Sequence, residues 1–341
     1  MSRLRYDVIQ RRWVIISTDR AAGPSEFAIE RDEVRMAFSP FSEGNEARTP
    51  PEIYAIWEGD REPNSPGWQV RVVPNKFPVL GIEGTTELVR QGLFEEMDGV
   101  GVHEVVIDSP LSEPDLADLP PEQVGRVFLA CRERIRDLVC DRRLRYLLVF
   151  KNHGAEAGSP ISHTHTQIIG LPVTPSTVRL ELTSARDYFS ENSKCLSCDI
   201  ARQESEFKER VILETDLFLV WAPFASRFPC EMMIAPKGHA HDFADADDTT
   251  VNAFGAVVQH VLGRLKSVLR DPPYNFVLHT SPNTDSDPRL PNYWSTIEKD
   301  YHWHLEIIPR VTPIAGFEWG TGFYINPMPP EAAARSLKIT G

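Results

Sequence analysis

Residues 162–172 read SHTHTQIIGLP, and within them His163, His165 and Gln167 fall at every second position. A short apolar run that stops at a proline is a strand signature. Alternation along a strand puts these three side chains on one face, and Thr164 and Thr166 on the other. Two imidazoles and a carboxamide on a buried face need hydrogen-bond partners or a chemical task. Imidazole suits a task near neutral pH, because one nitrogen can be a neutral nucleophile while a hydrogen bond fixes the other. A second reactive spacing is Cys195-Leu196-Ser197-Cys198. The remaining cysteines are Cys131, Cys140 and Cys230, five in all. An odd count with one Cys-x-x-Cys suits a reducing compartment and a metal or redox site better than a disulfide framework.

The elements that position these residues are mixed. RRWVIIS (11–17), WQVRVVP (68–74), VHEVVIDSP (102–110) and RYLLVFKNHG (145–154) read as strands. The second of these is part of a longer stretch, WQVRVVPNKFPVL (68–80), read as strand then turn. Between the last two, residues 121–142 place Val124, Val127, Phe128, Cys131, Ile135 and Leu138 at helical spacing behind a Pro-Pro start. The order then recurs. FLVWAPF (218–224), CEMMIAPKGH (230–239), NFVLHTSP (275–282) and YHWHLEIIPR (301–310) are strands, and residues 250–269 form a second amphipathic helix.

HTHTQII from His163 and HWHLEII from His302 share one pattern, His-x-His-x-(Gln/Glu)-Ile-Ile. HEVVIDSP pairs with CEMMIAPK, and SPFS (39–42) with CLSC (195–198). The chain is therefore read as a duplicated β–helix–β–β unit. The expected division is 1–185, with the paired histidines of the first motif, and 186–341, with the Cys-x-x-Cys. The two units can each supply part of one sheet.

Composition is that of a globular chain of 341 residues, 41% hydrophobic and 25% charged. A net charge of −13 argues against nucleic acid or anionic membrane as general partners. No apolar run spans a membrane and no leader pattern opens the chain, so a cytoplasmic location is expected.

Together these blocks resemble the histidine-triad superfamily in its duplicated form, the galactose-1-phosphate uridylyltransferases and the related ADP-glucose phosphorylases. The likeness runs through RRWVIIS, VVPNKFPVL (72–80), HEVVIDSP (103–110), FKNHGAEAG (150–158), SHTHTQ, CLSC, APFASRFPCE (222–231), PYNFVLHTSP (273–282) and GFEWGTGFYINP (316–327). It implies an α+β fold, a mostly antiparallel sheet with helices packed on it.

The resemblance also implies a reaction. His165, the second histidine of the motif, would attack the α-phosphorus of a nucleotide sugar and hold the nucleotidyl group as a phosphoramidate. The leaving group is a hexose 1-phosphate, already a stable anion. The site must then hold the phosphates in line and offset charge on the non-bridging oxygens. Gln167 would donate its amide to a phosphoryl oxygen. Asn152, Gly158 and Ser159 would add donors, and Asn75 would contact the nucleotide. Arg20 would reach the active site of a second subunit, which implies a homodimer with shared sites. A further basic residue common after that arginine is missing from Arg20-Ala21-Ala22-Gly23-Pro24.

For metal, the resemblance joins Cys195 and Cys198 to His239 and His302 as a structural zinc site. A competing set, Glu181, His279, His302 and His304, matches relatives that lack the Cys-x-x-Cys. Both sets would use His302, and two thiolates favour the first. The first repeat has Ser39 and Ser42 where many relatives have cysteines, and a serine hydroxyl is a poor zinc ligand. His103 and His163 alone do not make a structural site, so His163 is expected to bond His103 or a nearby backbone group.

The implied activity is uridylyl transfer from UDP-glucose to galactose 1-phosphate by a ping-pong route. The alternative is ADP-glucose phosphorylase, toward which SHTHTQ and GTGFYINP lean. A non-catalytic nucleotide-binding protein is the alternative of another class.

Overall fold

The computed structural model describes residues 1–17, 23–28, 38–112, 114–286 and 295–339. The chain opens with an antiparallel hairpin, β1 (Arg3–Asp7) and β2 (Arg12–Ile16). The first half then lays down β3 (Tyr54–Trp57), β4 (Trp68–Pro74), a small hairpin of β5 (Val89–Gln91) and β6 (Phe94–Glu96), and β7 (Val102–Ile107). Helix α1 (Pro121–Leu138), β8 (Tyr146–His153) and β9 (His165–Leu171) complete it. Helices α2 (Ser176–Asn192) and α3 (Leu196–Phe207) lead into the second half. That half is β10 (Val211–Glu214), β11 (Phe218–Trp221), β12 (Met232–Pro236), helix α4 (Asp248–Leu269), β13 (Tyr274–His279), β14 (His304–Pro309) and β15 (Tyr324–Asn326). Strand β15 runs parallel to β2.

Both predicted amphipathic helices form, and every apolar residue named for α1 is buried. α1 stops at Leu138, short of the expected 142, because the Asp141 carboxylate takes the backbone N–H and guanidinium of Arg143 in a local turn. α4 starts on Asp247, whose side chain accepts the Thr250 N–H as an N-cap. The two helices touch backbone to backbone. A Cβ on Gly255 would come 2.5 Å from the Cα of Gly125, so neither position tolerates a side chain without the helices moving apart. α2 and α3, which strand and helix periodicity did not single out, fill the stretch between the halves, and α2 runs across the expected boundary at 185/186.

Ten strands form one antiparallel sheet in the order β10-β11-β12-β14-β13-β8-β9-β7-β4-β3. Each half supplies five, and they join where β8 pairs with β13. One row shows the duplication directly. Val105, Gln167, Phe150, Val277, Glu306 and Met233 are successive cross-strand partners. The row is symmetric about the β8–β13 junction, with Gln167 and Glu306 each one strand out from it. This is the α+β, mostly antiparallel architecture expected from the sequence.

One face of the sheet packs under α1 and α4. It carries Val72, Val106, Leu147, Val149, Ile168, Phe276, Leu278, Leu305 and Ile307, with Phe128 and Phe254 from the helices. At about 25 cal/mol per Å² of apolar area removed from water, this layer is the main driving force for the fold. The opposite face carries the polar rows, His165 and Gln167 in the first half and His279, His304 and Glu306 in the second.

Candidate active site

His165 is the first residue of β9 and is 8% exposed. Its Nδ1 lies 2.9 Å from the carbonyl oxygen of His163. A carbonyl only accepts, so Nδ1 carries the proton and Nε2 keeps its lone pair. Burial, with the nearby Lys151 ammonium, pushes the His165 pKa down to about 4. The ring is thus neutral at pH 7, with one nitrogen committed and one open, which is what a nucleophilic imidazole requires. The Phe41 ring packs edge-on at 5.4 Å.

The strand under His165 is held from behind. Lys151 is buried among the helix-facing residues of β8, and its Nζ donates to Asp108 Oδ2 (2.7 Å), Thr164 Oγ1 (2.8 Å) and the His165 carbonyl (2.8 Å). Thr164 in turn donates to Asp108 at 2.9 Å. This cluster was not singled out from the sequence. The signal was there: YLLVFKNH alternates, so Lys151 had to face the core side with Leu147 and Val149 and needed an acidic partner.

His163 is fully buried. Its Nε2 donates to the Ser109 carbonyl at 2.8 Å, and its Nδ1 takes the Ser39 hydroxyl at 2.9 Å. The backbone partner agrees with expectation, but His103 does not reach it. His103 turns along the sheet face instead, its Nε2 2.9 Å from Gln167 Oε1. Ser39 fills the place of a thiolate with a hydroxyl-to-imidazole hydrogen bond.

The expected substrate contacts sit as follows. Asn152 Oδ1 accepts from Asn275 Nδ2 at 2.8 Å, and the same nitrogen donates to the Ala157 carbonyl at 2.8 Å. Gly158 closes a one-turn helix at φ +92°, a left-handed conformation that favours glycine. The Ser159 hydroxyl donates to the Ile161 carbonyl and its N–H to the Gly154 carbonyl, so both its donors are committed within the loop. Asn75 contacts His103. Arg20 lies outside the described residues.

Cys195, Cys198, His239 and His302 place their ligand atoms within 4.8 Å of one another. Cys195 caps α3 and Cys198 sits in its first turn. Cys198 Sγ is 3.4 Å from His239 Nδ1 and 3.3 Å from His302 Nδ1. Ligands at zinc–sulfur and zinc–nitrogen bond lengths stand roughly 3.5 Å apart in a tetrahedron, so the group fits that ion. Each imidazole is aimed by its other nitrogen, His239 Nε2 donating to the Glu298 carbonyl at 3.0 Å and His302 Nε2 to the Pro236 carbonyl at 2.9 Å. The hydrogen bond from Cys198, aided by His302, draws the Cys195 thiol down to about 4, so a thiolate is already favoured there.

The competing set does not form as expected. His302 faces the cysteines, and the second group is Glu181, His279, His304 and Glu306. The two groups therefore share no ligand and are not mutually exclusive. In the second group the rings of His279 and His304 stack 4.8 Å apart. His279 Nδ1 lies 3.2 Å from Glu181 and Arg227 Nη2 2.8 Å from Glu306. Burial works against charge on His279, but the Glu181 and Glu306 carboxylates outweigh it and raise its pKa. Gln10 Nε2 closes over Glu181 at 2.6 Å. Arg227 thus faces the Glu306 carboxylate, and the two carboxylates favour the charged form of His279.

Residues 1–175 match the N-terminal domain of galactose-1-phosphate uridyl transferase, and residues 181–312 match its C-terminal domain. The chain is 36% identical over 340 residues to an ADP-glucose phosphorylase of Arabidopsis thaliana, covering 98% of this chain and 92% of that protein. It is 29% identical over 257 residues to a galactose-1-phosphate uridylyltransferase of Thermotoga maritima, covering 73% and 77%. The crystal structure of an Arabidopsis thaliana ADP-glucose phosphorylase with bound ADP-glucose superposes at a TM-score of 0.83, with 34% identity and 100% and 99% coverage.

Proposed function

Because the chain belongs to the galactose-1-phosphate uridylyltransferase family, we propose that it is a nucleotidyltransferase in which His165 carries the nucleotidyl group, taken from ADP-glucose and passed to orthophosphate. The observation that carries this reading is the neutral His165 ring with Nδ1 tied to a carbonyl and Nε2 left as nucleophile. Nε2 attacks the α-phosphorus, the N–P bond forms, and the P–O bond to glucose 1-phosphate breaks. A phosphate oxygen then attacks the same phosphorus, the N–P bond breaks, and ADP leaves. Gln167 supplies amide donors to the phosphoryl oxygens, with Asn152 beside it.

ADP-glucose is favoured over UDP-glucose by the adenylate-handling relative, which matches almost the whole chain at higher identity than the uridylyltransferase does. The second reading, UDP-glucose with galactose 1-phosphate as acceptor, is supported by the family to which both halves belong. Incubation with either nucleotide sugar labelled at the α-phosphate tests both. A label on wild-type protein that phosphate releases as ADP supports the first. A label from UDP-glucose released only by galactose 1-phosphate supports the second, and no label from either overturns covalent transfer.

The division into 1–185 with the nucleophile and 186–341 with the Cys-x-x-Cys group belongs to the same proposal. So do a structural zinc at Cys195, Cys198, His239 and His302, and a homodimer with Arg20 reaching the partner's site. Bound zinc would supply a tetrahedral cross-link between α3, the loop after β12 and the approach to β14. No described helix is long and apolar enough to cross a membrane.

A further inference from the structure

Asn152 can serve a phosphoryl oxygen only if its amide presents N–H and not C=O. A backbone oxygen of the neighbouring loop decides which it presents. Asn275 Nδ2 stands 2.8 Å from the carbonyl oxygen of Ala157 and 2.8 Å from Asn152 Oδ1. A carbonyl only accepts, so the Asn275 atom that faces Ala157 must carry hydrogen. The same NH2 group has a second hydrogen for Asn152, and only an oxygen can take it there. Asn152 is thereby held with its oxygen toward Asn275 and its own NH2 turned away. That NH2 has no acceptor among the described residues. It lies beside Gly158, 3.6 Å from where a Cβ would stand, and glycine leaves that side bare.

The sheet brings this pair to the nucleophile. The β8–β9 register that pairs Phe150 with Gln167 puts Asn152, two residues on, opposite His165, and Asn275 is the partner of Asn152 on the other side. From this geometry we propose that Asn275 is a positioning residue for the transfer reaction. Standing in the second half of the chain, it sets the sense of the Asn152 amide, so that N–H faces the phosphoryl group held at His165. The duplication shows that the device is one-sided. About the β8–β13 junction, His165 corresponds to His304, Asn152 to His279 and Asn275 to Leu148. A leucine orients nothing, so the second half lends a residue to the first and receives none back. The proposal rests on the transfer reaction proposed above, but its hydrogen bonds are made in the free protein and can be read there.

Two measurements test it. In the first, the side-chain amide protons of Asn275 and Asn152 are followed by NMR in the wild-type protein without substrate, assigned by their loss in Asn275→Asp and Asn152→Asp. The Asn275 pair, with both protons hydrogen-bonded, should exchange slowly with water, and the Asn152 pair should exchange fast. In Asn152→Ala, one Asn275 proton should lose its protection while the one on the Ala157 carbonyl keeps it. A protected Asn152 pair, or equal exchange at the two residues, overturns the proposal whether or not the protein transfers nucleotides.

In the second, the rate of protein labelling is measured with whichever nucleotide sugar labels the wild type. Asn275→Leu, the residue at the symmetric position, should slow it by roughly tenfold, the scale of one lost oriented hydrogen bond to charge, with little change in the half-saturating concentration. On an Asn152→Ala background, Asn275→Leu should cost nothing further, because its action passes through that amide. A full tenfold loss persisting on that background would show that Asn275 acts by holding the loop at Ala157, and would overturn the proposal.

Discussion

The Nδ1 of His165 stands 2.9 Å from the carbonyl oxygen of His163, two residues back along the chain. The tautomer of the His165 ring is therefore set by the backbone of its own motif and does not depend on a distant carboxylate. Replacing His165 by glycine removes the nitrogen proposed to attack and little of the core. We expect His165→Gly to lower turnover by roughly 10⁴-fold or more, with an unchanged melting temperature within a few degrees and nucleotide binding retained by calorimetry. Turnover near the wild-type rate would rule out the covalent route.

The same ring predicts a pH response. Its pKa is pushed down to about 4 in the folded protein and is near 6.5 in the unfolded chain. Between those values the unfolded state binds the proton and the folded state does not, so stability is full above pH 6.5 and declines as the pH falls toward 4. The contribution is on the order of 3 kcal/mol. Denaturation midpoints of wild type and of His165→Gln, which takes up no proton, should run in parallel above pH 6.5, and the wild type should fall relative to the variant as the pH drops toward 4. Labelling by the nucleotide sugar should persist down to about pH 5, where an ordinary histidine would be mostly protonated.

Lys151 and Asp108 form an ion pair at 2.7 Å with side chains 2% and 0% exposed. Removing one partner strands a buried charge, so Lys151→Met should cost about 3–5 kcal/mol. The double variant Lys151→Met with Asp108→Leu should be closer to wild type than either single change, measured by thermal melting. Strictly additive losses would show that the two do not act as a pair.

Metal analysis should return one zinc per chain. Cys195→Ser should lose it and melt at a lower temperature, as should the wild type after prolonged chelation. The second group, Glu181, His279, His304 and Glu306, already has Arg227 against Glu306, and its carboxylates favour the charged form of His279. Two zincs per chain would contradict that arrangement, or the exchange of thiolates for Ser39 and Ser42.

Mixing His165→Gly with Arg20→Ala chains should restore part of the activity lost in each, because one site of the heterodimer keeps both groups. A fully active monomer in sedimentation would remove Arg20 from the site.

The alternation of HTHTQIIGLP and YHWHLEIIPR was enough to place both polar rows on strands, and helical spacing found the core faces of α1 and α4, leaving out Ala130 and Leu269. What the sequence hid were partners set by register. The facing of His103 toward Gln167 depends on how β7 slides against β9, a choice that no local pattern records. The separation of the two metal-ligand sets was hidden for a similar reason. His302 precedes β14, so its ring is free to turn to Cys198, while His304 within the strand is bound to the sheet face. Helices α2 and α3 are rich in charged and small residues, and they were left unread.

The pairing of β8 with β13 joins strands separated by the whole of α2, α3 and the first part of the second half. A ribosome that has delivered only the first half has therefore released a sheet with β8 as an open edge, its N–H and C=O groups unpaired beside an apolar face. Such an edge is a template for its own kind. The symmetric row about the junction shows what it would accept, a second β8 antiparallel to the first. Two first halves expressed without the rest would be expected to close that edge on each other, turning one duplicated chain into a pair of identical ones.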